Sequence, residues 1–215
     1  MNTNVSKLAK RTDMHVLRKL WHISFGSACL FLYMKLDLAI SFWGYFAISA
    51  ALGGFMMDFA RLRNQRVNNL VLKMLGPLMR SSEKDGFSGL PFYALGVGLS
   101  ILFFEEKIAV LSIMFLVFAD PIASFVGVNY GKDKILPNKS LQGAIAAFLV
   151  CKLLTIAYLY NSGASDLDLI LFSSLAGLVG SLSELASSFN IDDNLTIPVL
   201  SGAGLSVLNL YFHIF

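Results

Sequence analysis

The sequence predicts an all-α polytopic membrane protein of about seven transmembrane helices, and three observations predict it. Of 215 residues, 56% are hydrophobic and only 14% are charged, against about 25% charged in an average soluble domain. Mean hydropathy is +0.66, and the apolar residues come in runs near the roughly 20 residues that cross a bilayer. Basic residues alternate between rich and poor from one connection to the next. The apolar runs are 20–34, 38–57, 87–104, 108–128, 140–160, 167–187 and 197–215. They leave no room for a soluble domain. Residues 1–19 are expected to form a basic cytoplasmic tail, and residues 20–215 a single membrane-embedded domain.

The first run is short for a span and follows a polar stretch from Asn2 to Lys19. A secretory signal needs a small-residue cleavage site after its apolar core. Ser27-Ala28 is a poor one, so the run is read as a retained helix. Neither end carries a lipidation motif. After the second run, residues 58–84 mix apolar and basic positions, as in LRNQRVNNLVLKMLGPLMR. That pattern predicts an amphipathic helix on the membrane surface. Cys29 and Cys151 lie inside apolar runs and read as small core residues rather than a disulfide. No internal repeat or low-complexity tract is present.

Lys7, Lys10, Arg11, Arg18 and Lys19 precede the first run. Arg61, Arg63, Arg66, Lys73, Arg80 and Lys84 follow the second, and Lys132, Lys134 and Lys139 follow the fourth. The connections between them hold only Lys35 and Lys107. The positive-inside bias therefore places the N-terminus and the rich connections in the cytoplasm. The connection before the last run falls on the same side, yet it carries Asp192 and Asp193 and no cation.

The fourth run contains Asp120 followed by Pro121. About twelve residues of helix put it some 18 Å from the outer edge, inside the hydrocarbon. An ionisable residue there is a functional candidate by default, and the proline frees backbone groups beside it. Asp120, Ser124, Gly127 and Gly131 are spaced to share one face. The bland alternative is a small-residue packing stripe with one paired aspartate. Gly177, Ser181, Glu184 and Ser188 repeat the spacing; Glu184 could also be a snorkelling carboxylate.

In GVNYGKDKILPNKSLQG, Gly127 and Gly131 let backbone N–H groups approach an anion, and Lys132 and Lys139 can neutralise phosphate. The spacing is not that of a Walker loop, and the lysines also fit the positive-inside pattern. Asp192, Asp193 and Asn194 are hard oxygen donors suited to Mg²⁺ with phosphates, or else an N-cap of the last helix. Arg18, Lys19 and His22 stand near the same interface, as binding groups or as ordinary anchors. All four clusters fall on the cytoplasmic side. Carboxylates and lysines together suit phosphoryl transfer, and the apolar surround suits a lipid acceptor. A transporter is the alternative of another class. It would call for repeats and polar residues near the midplane, and Lys152 is the main polar exception on the outer side.

RKLWH, SGLPFYALG, DPIASFVGVNYGK, KSLQG, SEL and DDNLTIPVLSG, in that order, resemble the CTP-dependent lipid kinases: dolichol kinase, phytol kinase and the yeast-type diacylglycerol kinase. The resemblance runs from Arg18 onward. It implies transfer of the γ-phosphoryl of CTP to a lipid alcohol with Mg²⁺, in a prokaryotic plasma membrane or an organelle membrane. Asp120, Gly127, Gly131 and Lys132 match the first nucleotide block. Lys139, Ser140 and Gly143 match the second, and Glu184, Asp192, Asp193 and Asn194 match the acidic block. The expected roles are metal for Asp120, Asp192 and Asp193, phosphate for Lys132 and Lys139, and base or further ligand for Glu184. Partners are CTP, the lipid alcohol and membrane lipids, with a second copy of the chain kept open and no nucleic acid. The family is related to phosphatidate cytidylyltransferase, whose C-terminal signature of His-Gly-Gly, Asp-Arg and a further Asp is replaced here by Asp192-Asp193-Asn194 and later Ser201-Gly202.

Overall fold

The computed structural model describes residues 15–187 and 191–215. Ser188 and the basic residues Lys7, Lys10 and Arg11 lie outside the described residues. The described chain is almost wholly helical: α1 (Val16–Lys35), α2 (Ile40–Arg63), α3 (Gln65–Leu75), α4 (Gly89–Phe103), α5 (Glu106–Met114), α6 (Asp120–Tyr130), α7 (Leu141–Leu159), α8 (Asp166–Ala186) and α9 (Asp193–Phe212). Two 3₁₀ turns, Gly76–Leu78 and Ser81–Lys84, link α3 to α4. A π turn, Phe115–Ala119, joins α5 to α6.

Among the described residues, five helical stretches are long and apolar enough to cross a membrane: α2, the continuous Glu106–Tyr130 stretch, α7, α8 and α9. α4 is apolar but has 15 residues. α1 has 20 residues rather than the shorter run expected, because its first turns take in Arg18 and Lys19. The all-α polytopic class therefore holds; of the about seven spans expected, five meet both length and apolarity among the described residues. The expected surface helix is also shorter. Residues 58–63 complete α2, and α3 stops at Leu75, just ahead of Pro77. The side chain of Asn64 caps α3 by accepting the Arg66 N–H at 3.0 Å.

The Glu106–Tyr130 stretch is the most enclosed of these, with 61% of its apolar 18-residue window buried against 11% for that of α2. Its Leu111, Phe115 and Leu116 pack with Phe172 of α8 and Ile197 and Leu205 of α9 to form the core. Large apolar side chains on α2, such as Phe46 and Met56, point outward, as lipid-facing residues do.

The π turn has a local cause. Pro121 has no N–H and its ring crowds the preceding turn. The Asp120 N–H bonds to Phe115 O, five residues back. The carbonyl of Leu116 would pair with Pro121 in the same pattern, and Pro121 has no N–H to give. His22 of α1 lies 3.1 Å from it through Nε2, so Nε2 carries the proton and donates.

Between α6 and α7 the chain forms an antiparallel ribbon, β1 (Lys134–Leu136) and β2 (Lys139–Ser140). Pro137 and Asn138 make its turn. A ribbon this short has no sequence period to reveal it.

Candidate active site

Three small residues let α6 and α7 meet closely. A Cβ on Gly127 would lie 3.2 Å from Ser140 Oγ, one on Gly131 2.5 Å from it, and one on Gly143 3.0 Å from Ala123 O. Ser140 Oγ meanwhile caps α7 by accepting the Gly143 N–H at 3.2 Å. This contact opens onto a cavity of about 170 Å³. Asp120, Ser124 and Gly127 line it from α6, Lys134 and Lys139 from the ribbon. Ser140 and Gly143 at the start of α7, Glu184 of α8, Asp193 of α9 and Arg80 also line it. The N-terminus of α7 at this wall favours negative charge. Lys139 Nζ donates to Glu184 Oε1, and both groups are largely withdrawn from the surface.

Arg18, Lys19 and His22 line a smaller adjoining cavity of about 40 Å³, together with Arg80, Asp120 and Ser124. The two cavities thus share Arg80, Asp120 and Ser124. Arg18 donates to Glu83 Oε1 at 2.8 Å and to Leu78 O at 3.1 Å. Among the described residues, Lys19 Nζ has no hydrogen-bond partner, and it stands 5.8 Å from the Phe125 ring centroid.

Arg80 meets the start of α9. Its Nη2 lies 3.0 Å from Asp193 Oδ2 and its Nη1 3.7 Å from Asp192 Oδ2. Chiefly through Asp193, these charges hold the Arg80 guanidinium well above its ordinary pKa. Asp192 caps α9: its Oδ1 accepts the Asn194 N–H at 3.0 Å and Asn194 Nδ2 at 2.7 Å. Burial, followed by the Asp193 charge, pushes the Asp192 carboxyl up to about 7. Asn194 also donates to Gly89 O at 3.3 Å, which ties α9 to the start of α4.

The segment that delivers Arg80 is held by Arg61, which is fully buried at the end of α2. Arg61 donates to Asp58 Oδ1 at 2.6 Å, Asn68 Oδ1 at 2.9 Å, Glu83 O at 2.9 Å and Gly86 O at 2.6 Å. The second oxygen of Asp58 accepts the Ser88 N–H at 2.7 Å and its hydroxyl at 2.8 Å. A planar guanidinium with five donors can serve this many acceptors at once; an ammonium cannot.

Of the residues singled out by the sequence, Asp120, Gly127, Gly131, Lys139, Ser140, Gly143, Glu184 and Asp193 share the larger cavity. Arg18, Lys19 and His22 share the smaller. The Lys132 side chain is exposed outside both linings, and its backbone N–H bonds to Gln142 Oε1 at 3.1 Å. Asp192 and Asn194 act at the head of α9 rather than on the cavity wall. Sequence reasoning counts Arg61, Arg80 and Lys134 only as topology signals, and gives Glu83 no role. Pro77 is the available signal for Arg80, since a surface helix could not continue through it.

Among the described residues, no three His, Cys, Asp or Glu side chains form a ready metal cage. Asp120 and Asp193 nevertheless face one cavity beside several cations. Two carboxylates completed by phosphate oxygens are a donor set that fits Mg²⁺.

The cytidylyltransferase family profile matches residues 5–189. CTP-dependent diacylglycerol kinase 1 of Saccharomyces cerevisiae is 34% identical over 210 residues, covering 88% of this chain and 72% of that protein. The protein of the same name in Schizosaccharomyces pombe is 36% identical over 164 residues, covering 72% of this chain and 75% of its own. The chloroplastic phytol kinase 1 of Arabidopsis thaliana is 26% identical over 151 residues, covering 62% of this chain and 49% of its own. No solved structure matches. The chain belongs to the cytidylyltransferase family and groups with its CTP-dependent lipid kinases.

Proposed function

We propose that this chain is an integral membrane kinase that transfers the γ-phosphoryl group of CTP to the hydroxyl of a lipid alcohol, with Mg²⁺. The observation that carries the reading is the cavity where Asp120 and Asp193 meet Lys134, Lys139 and Arg80 among apolar helices. Phosphoryl transfer asks for cations on the phosphates, a metal, and a group at the attacking hydroxyl. In this reading Asp120 and Asp193 hold Mg²⁺, which when bound neutralises charge on the phosphoryl oxygens. Lys139, Lys134 and Arg80 bind phosphate, and Lys132 acts from the rim. Glu184 takes the proton of the lipid hydroxyl. Arg18, Lys19 and His22 border the second approach to Asp120. Asp192 and Asn194 set the position of Asp193. The basic residues of the connections support a cytoplasmic site.

CTP as donor is supported by the names of the two yeast relatives. Diacylglycerol, phytol and polyprenols are the acceptors to test. Detergent-purified protein would be given γ-labelled CTP or ATP, Mg²⁺ and each lipid in turn. Label in a lipid with release of CDP supports the kinase. The description of the matching family favours one second reading, a phosphatidate cytidylyltransferase. Pyrophosphate released from CTP and phosphatidic acid, with no labelled lipid, would establish that reading instead. Silence in both assays would return the transporter.

A further inference from the structure

A third cavity, of about 140 Å³, lies among α1, α2, α4 and α5. Aromatic and apolar side chains line it, and Gly26, Cys29, Ala47 and Ala94 make its space. None of the catalytic candidates touches it, yet it begins where the polar site ends. Arg18, His22, Gly26, Cys29 and Tyr33 are spaced to share one face of α1. The first two line the polar cavity, and the last three line the apolar one. At 1.5 Å per residue, His22 and Gly26 are about 6 Å apart and Gly26 and Tyr33 about 10 Å apart along the helix axis.

Tyr93 of α4 stands at the junction. It lines the apolar cavity, and its ring meets the His22 ring edge-on at 4.9 Å between centroids. A Cβ on Gly26 would lie 2.7 Å from Tyr93 Oη and 2.5 Å from Val117 Cγ2, so glycine is what lets α1 close on this wall. The side of the slot is open to the bilayer: Phe25 and Phe46, which line it, are 42% and 61% exposed.

We infer that this slot holds one hydrocarbon chain of the acceptor lipid. The chain enters from the bilayer, and its hydroxyl end passes the His22–Tyr93 wall toward the polar cavity of Asp120 and Glu184. The inference rests on the kinase reading and specifies where that site takes its acceptor. A free lipid tail belongs here because a cavity lined by carbon and open to lipid offers nothing to a nucleotide.

The test fills the slot. Ala47→Phe and Ala94→Leu would be made separately and assayed with CTP against dioleoylglycerol and geranylgeraniol in mixed micelles. The expected result is a rise of about tenfold or more in the acceptor KM, with the KM for CTP unchanged. An unchanged acceptor KM in either folded variant overturns the inference. An independent measurement uses wild-type protein and a geranylgeraniol analogue with a diazirine midway along its hydrocarbon chain. Crosslinks mapped to α1, α2 or α4 and suppressed by unlabelled geranylgeraniol support the slot. Crosslinks confined to α7–α9, or suppressed equally by dioleoylphosphatidylcholine, overturn it. Crosslinking needs no phosphoryl transfer. A wild-type protein that labels no lipid with phosphate would therefore sink the kinase reading while the slot is still decided.

Discussion

His22 Nε2 donates to the backbone carbonyl of Leu116 at 3.1 Å, across from α1 to the π turn. The bond serves an acceptor that Pro121 cannot serve. Helix breaks inside membranes persist where a neighbouring helix supplies the missing partner. His22 is also buried, so water does not replace it. His22→Ala is expected to lower stability by about 1 kcal/mol. His22→Gln, which keeps a donor of similar reach, should recover part of that loss. Thermal unfolding in detergent with a helicity readout checks both, and an unaltered midpoint in His22→Ala would refute the role.

Arg61 should be the least replaceable cation in the chain, although it touches neither polar cavity. Arg61→Met leaves Asp58 and several carbonyls without their donor, at an expected cost of about 3 kcal/mol or more. Arg61→Lys should restore charge but little stability, because one ammonium cannot span acceptors on three segments. Monodisperse yield and unfolding temperature report this directly.

The neighbours Asp192 and Asp193 should behave differently. Asparagine caps helices about as well as aspartate, so Asp192→Asn is expected to keep activity within several-fold. Asp193→Asn and Asp120→Asn should each lower kcat by about 100-fold or more while the protein stays folded. Equal losses at Asp192 and Asp193 would contradict the assignment of Asp192 to the cap.

Removing divalent metal with EDTA should abolish transfer, and added Mg²⁺ should restore it without refolding. Lys139→Gln should raise the KM for CTP by about tenfold, the effect of losing one charge-assisted hydrogen bond. A steady-state series at saturating lipid separates this from a kcat effect.

Much of this protein is legible in the sequence because membrane physics leaves few options. Apolar runs mark the start of α2 and both ends of α7, α8 and α9 to within a few residues. The spacing of Asp120, Ser124 and Gly127 anticipates one face of α6, and all three line the cavity. The less legible parts depend on tertiary contact. Arg80 looks like any cytoplasmic arginine, since only the Arg61 network brings its segment to α9. Lys134 and Lys132 are two residues apart in a polar loop. Their opposite fates follow from a ribbon too short to have a period. The glycines read as anion-approach points also serve as contact surfaces for Ser140, which spacing alone does not reveal.

The π turn also sets a rotational phase. One extra residue in a turn advances everything after it by about 100° relative to an uninterrupted α-helix. The side of α5 that packs into the core and the side of α6 that carries Asp120 and Ser124 are therefore indexed to each other by a single residue of chain length. Deleting one residue from Phe115–Ala119 would conserve hydrophobicity, length enough to span and every polar side chain, yet swing Asp120 a quarter-turn away from Asp193. In this helix, counting residues matters as much as choosing them.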